Sequence, residues 1–168
     1  IAILDTGVDK THSFLSGKVV AEACYSSGGT SLCPNGQTSQ TGSGAGSYCP
    51  SGTDVCVNGT HVAGIAAGKR TKCSDGTYCM RGVAPKANII AIQVFYKSGS
   101  SISSSYSDQI SALEYVYSLR TTYNIASVNM SLGGGEYPAN CDSSLPSIKT
   151  AIDSLRSVCI ATIVSSGN

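Results

Sequence analysis

The chain has 168 residues, 41% of them hydrophobic and 12% charged, with a net charge of +1. That length is enough for one domain with its own core. The near-neutral balance shows no basic patch for nucleic acid and no acidic run, and its longest apolar runs are too short to span a bilayer. The chain opens inside a strand-like run, Ile1–Leu4, which predicts residues upstream of it. Val19 and Val20 mark the start of a minor strand. The stretch Thr30–Asp54 is rich in Ser, Gly, Thr and Cys and has no periodicity, so it reads as a long surface insertion. A helix follows over Asn58–Ala67, with Val62, Ala63, Ile65 and Ala66 as its apolar residues and Gly68 as a stop. A buried strand is predicted over Ile89–Phe95. Ser107–Tyr123 places Ile110, Leu113, Val116 and Tyr117 on one helical face, with Ser105 or Ser107 as cap. A third strand falls over Ala126–Met130. The last helix spans Ser147–Ser157, with Pro146 in its first turn, and the last strand runs over Ile160–Ser165. This alternation predicts an α/β fold of three layers, a mostly parallel sheet with helices on both faces. Loops at the C-terminal ends of such strands build sites.

Eight cysteines, little charge and abundant Ser and Gly suit an oxidising, extracellular compartment. A zinc site would want closely paired cysteines with histidine. The spacings here are irregular and His12 and His61 are the only histidines, which favours disulfides. Sequence leaves the connectivity open. The favoured local pairs are Cys24–Cys33, Cys49–Cys56 and Cys73–Cys79, with Cys141 and Cys159 left over.

Asp5 ends the first strand in Ile3-Leu4-Asp5-Thr6-Gly7, which puts a carboxylate at the functional edge. Asp-Thr-Gly also occurs in aspartic peptidases, where two carboxylates share a proton. Those enzymes are all-β, whereas here the motif occurs once and helical patterns follow. Gly59-Thr60-His61-Val62-Ala63-Gly64 opens a helix whose small residues allow close packing on a sheet. Val128–Gly135 runs from a buried strand into glycines that let another backbone approach. Ser165-Ser166-Gly167-Asn168 ends a strand with an amide able to donate to a developing oxyanion. A nucleotide-binding doubly wound domain is disfavoured, because no glycine-rich phosphate loop follows the first strand.

Taken in order, Asp5-Thr6-Gly7-Val8-Asp9 with His12, then Gly59–Gly64, Gly82–Pro85, Asn129–Gly134 and Gly167-Asn168 after Ser166, these segments resemble the subtilisin family of serine peptidases. The resemblance covers the chain apart from a Cys/Ser/Gly-rich insertion at about residues 24–57 and describes residues 1–168 as a partial, incomplete peptidase domain. It implies that Asp5 is the triad carboxylate that orients a catalytic histidine, and that Asn168 is the side-chain donor of the oxyanion hole. Ser131, Leu132 and Gly133 would form one wall of the pocket for the substrate residue before the scissile bond, and Ser165, Ser166 and Gly167 the other. Ile102, Ser103 and Ser104 would pair with an extended substrate, and Tyr106 would shape a more distant subsite. The implied partner is a peptide or protein in extended conformation. Neither nucleic acid nor a membrane is a partner, and the full-length parent is expected to be a monomer. The chemistry requires no cofactor. The family often carries structural calcium, but Asp9, Asp54 and Asp75 are scattered, so no metal ligands are assigned.

Two departures matter. The family's helix opens His-Gly-Thr-His and its first His is the general base, whereas this chain reads Asn58-Gly59-Thr60-His61. An amide cannot take a proton at neutral pH, although Asn58 can bond to Asp5 and suits a helix N-cap. His61 lies one turn further along, ~4–5 Å up the axis, in what is a packing position in the family. His12 likewise matches a non-catalytic histidine. Second, the family's nucleophile sits in a Gly-Thr-Ser context well after the oxyanion Asn, and no serine among these 168 residues has that setting. The expectation is a segment of a secreted serine endopeptidase that is inactive as it stands. The rival is a pseudopeptidase that binds extended peptides without cleaving them.

Overall fold

In the computed structural model, residues 1–49, 54–135 and 137–166 are described. The strands are β1 (Ala2–Asp5), β2 (Val19–Tyr25), β3 (Thr30–Ser31) and β4 (Ser39–Thr41), followed by helix α1 (Asn58–Ala67). Then come β5 (Thr71–Lys72), β6 (Tyr78–Met80), β7 (Ile89–Gln93), β8 (Tyr96–Ser98) and β9 (Ser101–Ser103). Helix α2 (Tyr106–Ser118), β10 (Ser127–Met130), α3 (Pro146–Ser157) and β11 (Ala161–Val164) complete the order.

Among the described residues the main sheet runs β11-β10-β1-β7-β2-β4. Its pairs are parallel except for β4, which runs antiparallel to β2 at the edge. The inner strands are buried on both faces, which is why they read as continuous apolar runs such as Ile89-Ile90-Ala91-Ile92. Period-two alternation then sorts their side chains. Ala2, Leu4, Ile90 and Ile92 pack with Ala112, Leu113 and Val116 of α2 and Ala151 and Leu155 of α3. Ile3, Ile89 and Ala91 point the other way and pack with Ala63 and Ala67 of α1. Each fully buried Ile or Leu contributes about 1.5–3 kcal/mol relative to exposure. The result is the expected three layers, with α1 on one face and α2 and α3 on the other.

Helix α1 sits close to the sheet because its inner face is small. Gly59 touches the turn after β1: a Cβ there would lie 2.2 Å from the Gly7 carbonyl oxygen. Its capping differs from the expectation for Asn58. The residue before the first turn is Val57, which makes no side-chain cap, and the Gly59 N–H donates instead to the Thr6 hydroxyl at 3.1 Å. Helix α2 is capped locally, since Ser105 Oγ accepts from the Asp108 N–H at 3.1 Å and donates to the Asp108 carboxylate at 2.7 Å. It ends at Ser118, and Leu119–Thr121 continue as a 3-10 turn rather than as the longer helix expected.

The segment after β2 departs from the surface-insertion reading. It supplies β4 to the main sheet, and Ala45, Gly46 and Cys49 are buried. Gly46 lies against the backbone of β7, where a Cβ would meet the Ala91 carbonyl oxygen at 2.3 Å. Its own carbonyl accepts from the Val8 N–H at 2.8 Å, so this segment braces the turn after β1. Disulfides join Cys24 to Cys33, Cys49 to Cys56 and Cys73 to Cys79, with Cα–Cα distances of 5.5, 5.4 and 5.4 Å. Cys141 and Cys159 are unpaired among the described residues.

Candidate active site

The C-terminal ends of β1, β7, β10 and β11 share one edge because these strands are parallel. Asp5 is the last residue of β1 and lies on the α1 side with Ile3, fully buried. Its carboxylate accepts the Thr6 N–H at 2.7 Å. The Asn58 side chain, in the first turn of α1, donates Nδ2 to both carboxylate oxygens, at 3.0 and 2.9 Å. Burial raises the Asp5 pKa above its ordinary value of 3.8, and the hydrogen bonds from Thr6 and Asn58 oppose that rise without cancelling it.

Thr6 was not singled out from sequence, yet it ties the corner together. Its hydroxyl donates to the Cys56 carbonyl at 3.1 Å while accepting from Gly59 N–H, and its carbonyl accepts the Cys49 N–H at 3.3 Å. The Cys49–Cys56 bridge therefore closes around this residue. The only sequence signal was its place between Asp5 and Gly7.

Neither histidine joins the corner. His61 is exposed, and the described partners of the Asp5 carboxylate are Thr6 and Asn58. His12 accepts the Phe14 N–H on Nδ1 at 3.2 Å in a local turn. The amide of Asn58 is spent as a donor and offers no basic nitrogen. The corner can orient a group, and the Asn58 side chain supplies no general base to it.

Seven of the ten expected binding residues line a groove of about 480 Å³ at the same edge. Ile102, Ser103, Ser104 and Tyr106 line one side, and Leu132, Gly133 and Ser165 the other. Ser165 Oγ donates to the Leu132 carbonyl at 2.8 Å and the Ser165 N–H to the Met130 carbonyl at 3.2 Å, which joins the two walls after β10 and β11. Ser131 lies beside them and accepts from Asn129 Nδ2 at 2.9 Å, and Ser166 follows as an exposed residue. Strand β9 pairs only with β8 in the order β3-β8-β9, so its other edge is unpaired among the described residues. Gly167 and Asn168 lie outside the described residues. The groove also takes in residues that the sequence reading did not name as site residues, Gln109 and Tyr137 among them. Among the described residues no three His, Cys, Asp or Glu side chains converge, so no calcium site is assigned. No helix there is long and apolar enough to cross a membrane.

The sequence model of the subtilase family matches residues 1–168. Thermitase of Thermoactinomyces vulgaris is 42% identical over 100 residues, 60% of this chain and 27% of that protein. Subtilisin DY of Bacillus licheniformis is 32% identical over 168 residues, 100% of this chain and 46% of that protein. The structure of the Clostridium perfringens CspB protease superimposes with a TM-score of 0.61 at 22% identity, covering 99% of this chain and 35% of that one. The chain thus spans less than half the length of these relatives.

Proposed function

The chain belongs to the subtilase family, and on that premise we propose that it is the front part of a secreted serine endopeptidase domain whose proton-transfer step is disabled at Asn58. In the parent reaction a serine hydroxyl attacks the scissile carbonyl, forming an acyl-enzyme while an imidazole takes the hydroxyl proton and later returns it to the leaving amine. In this reading Asp5 holds that imidazole. The single observation that carries the proposal is the Asn58 amide donating to both Asp5 oxygens, at 3.0 and 2.9 Å, where the base would be. Nucleophile and oxyanion donor complete the site in this reading. Asn168 is assigned to the latter role from its motif. An extended peptide lies along the free edge of β9 and against the wall at Ser131, Leu132 and Gly133, with Ser165, Ser166 and Gly167 opposite. The three disulfides support an extracellular setting. The test is a sensitive chromogenic peptide assay on purified protein. Turnover above buffer that a serine-directed inhibitor abolishes overturns the proposal.

The same amide favours a second reading, a pseudopeptidase that retains the groove and binds peptides without cleaving them. The residues that follow in the complete protein separate the two. A nucleophilic serine in the family context makes Asn58 a one-residue lesion, and its absence favours a binding role.

A further inference from the structure

The groove contains a polar group that the proposed peptide chemistry does not use. Most of its lining is apolar, as in Phe95, Met130, Leu132 and Ile152, yet the side chain of Gln109 lines it too. Gln109 is only 8% exposed. Its neighbour Asp108 is saturated, accepting from the Ser27 N–H, the Ser27 hydroxyl and the Ser105 hydroxyl. Gln109 is not. Its Nε2 makes one long bond to Ser104 Oγ at 3.3 Å, and its Oε1 accepts nothing from the described residues. A primary amide has two donors and an acceptor, so most of its capacity remains open toward the cavity.

The groove is also bridged above this point. Tyr106, at the start of α2, and Tyr137, beyond the glycine-rich stretch, meet hydroxyl to hydroxyl at 3.2 Å. Both rings line the cavity, so they join its two walls. A side chain entering beneath the tyrosines meets apolar flanks and, at the Gln109 end, an amide with free valences.

We infer that Gln109 makes this end of the groove a subsite for an uncharged hydrogen-bonding side chain of the glutamine or asparagine class. The inference rests on the reading of the groove as a peptide site. The amide of such a side chain pairs with Gln109 by a reciprocal N–H to C=O exchange, while its methylene stem lies against Phe95 and Leu132. An aliphatic side chain of equal length fills the same volume but strips water from the Gln109 amide without replacing its bonds. Leaving a buried polar group unpaired is the costly case, and it sets a discrimination of about tenfold.

The experiment is equilibrium binding, by fluorescence anisotropy, of labelled six-residue peptides to the complete protein carrying Asn58. Because that residue prevents cleavage in the proposed reading, the peptides persist. Each peptide has glutamine at one position of an otherwise fixed leucine-rich background, and a matched set carries lysine. One position should bind about tenfold tighter with glutamine than with leucine. In Gln109→Leu that preference should vanish or reverse, and in Gln109→Glu it should pass to lysine at the same position. A merely structural glutamine predicts no transfer of preference to lysine. If peptides bind but no position discriminates beyond twofold, or the preference survives in Gln109→Leu, the inference is overturned and the groove stands. If no peptide binds, the groove reading itself fails and takes the inference with it.

Discussion

Replacing Asn58 by histidine in the complete protein should restore peptide hydrolysis if the remainder supplies the nucleophile. The geometry sets the expectation. Asn58 Nδ2 already lies 3.0 and 2.9 Å from the two Asp5 oxygens, and an imidazole can put its Nδ1–H in that place while turning Nε2 toward the groove. Asn58 is exposed, so the larger ring meets no closed wall. Two unit charges ~4 Å apart attract by about 4 kcal/mol at an effective dielectric constant of ~20. The ring sits at the solvent side of the pair, and screening leaves about 1–2 kcal/mol. That raises the imidazole by roughly one unit above its ordinary ~6.5, and it pulls Asp5 down from its burial-raised value. Activity should therefore appear as pH rises through about 7–8, as the ring becomes neutral. The rate gain should approach about 10⁶-fold, the loss that removal of the base causes in a related peptidase. A chromogenic peptide assay across pH, with and without a serine-directed inhibitor, reads both quantities. Adding Asp5→Asn should remove most of the gain. A folded, peptide-binding Asn58→His variant with less than tenfold gain, in a protein that has the serine, refutes the reasoning.

Gly59→Ala places a Cβ 2.2 Å from the Gly7 carbonyl oxygen and 3.1 Å from the Asp5 Cβ, and both neighbours are rigid. It should cost about 1–3 kcal/mol in denaturant unfolding, and a cost below ~0.5 kcal/mol contradicts the close approach. Because burial raises the Asp5 pKa in the folded state, the native protein binds that proton more tightly than the unfolded chain does. The stability difference between the parent and Asp5→Asn should thus fall as pH rises from below 3.8 through the raised value and then level off. A difference that stays flat or grows with pH in urea titrations is the contrary result. Residues 1–168 expressed alone should self-associate and bind a hydrophobic dye, because Ile65, Val83, Ile163 and Val164 are 69%, 85%, 55% and 56% exposed. A monomer at all concentrations with a sharp cooperative melt contradicts this.

The three-layer arrangement was legible because the inner strands bury both faces and so carry continuous apolar runs, as in Ile1–Leu4 and Ile89–Ile92. The edges were not. Strand β4 reads Ser39-Gln40-Thr41 and is held by backbone pairing to β2, which leaves no hydrophobic pattern to find. In β2 itself only Val19-Val20 carried the signal. Its continuation includes a buried Glu22, made tolerable by Lys10 Nζ at 2.5 Å and the Gly44 N–H at 2.9 Å. Those partners come from the turn after β1 and from the cysteine-rich segment, and a local reading cannot bring them together. The same limit hid Gln109 and Tyr137. A glutamine on a helix and a tyrosine in a loop acquire meaning only when α2 and the segment after β10 face each other across the groove.

In the proposed reading, the amide at Asn58 explains why the corner can stay ordered without a base. What Asp5 requires structurally is a donor, since burial without hydrogen bonds would force the carboxylate to stay protonated. An asparagine supplies that donor from the same helical position as a histidine would. The turn is fixed independently by Thr6, by Gly59 against Gly7, and by the Cys49–Cys56 bridge. Nothing in that support depends on a titratable ring. The groove, lined by β9, α2, α3 and the segments after β7, β10 and β11, contains none of Asp5, Thr6, Asn58 and Gly59. Loss of the base and retention of peptide binding are therefore physically separable, so binding must be measured apart from turnover.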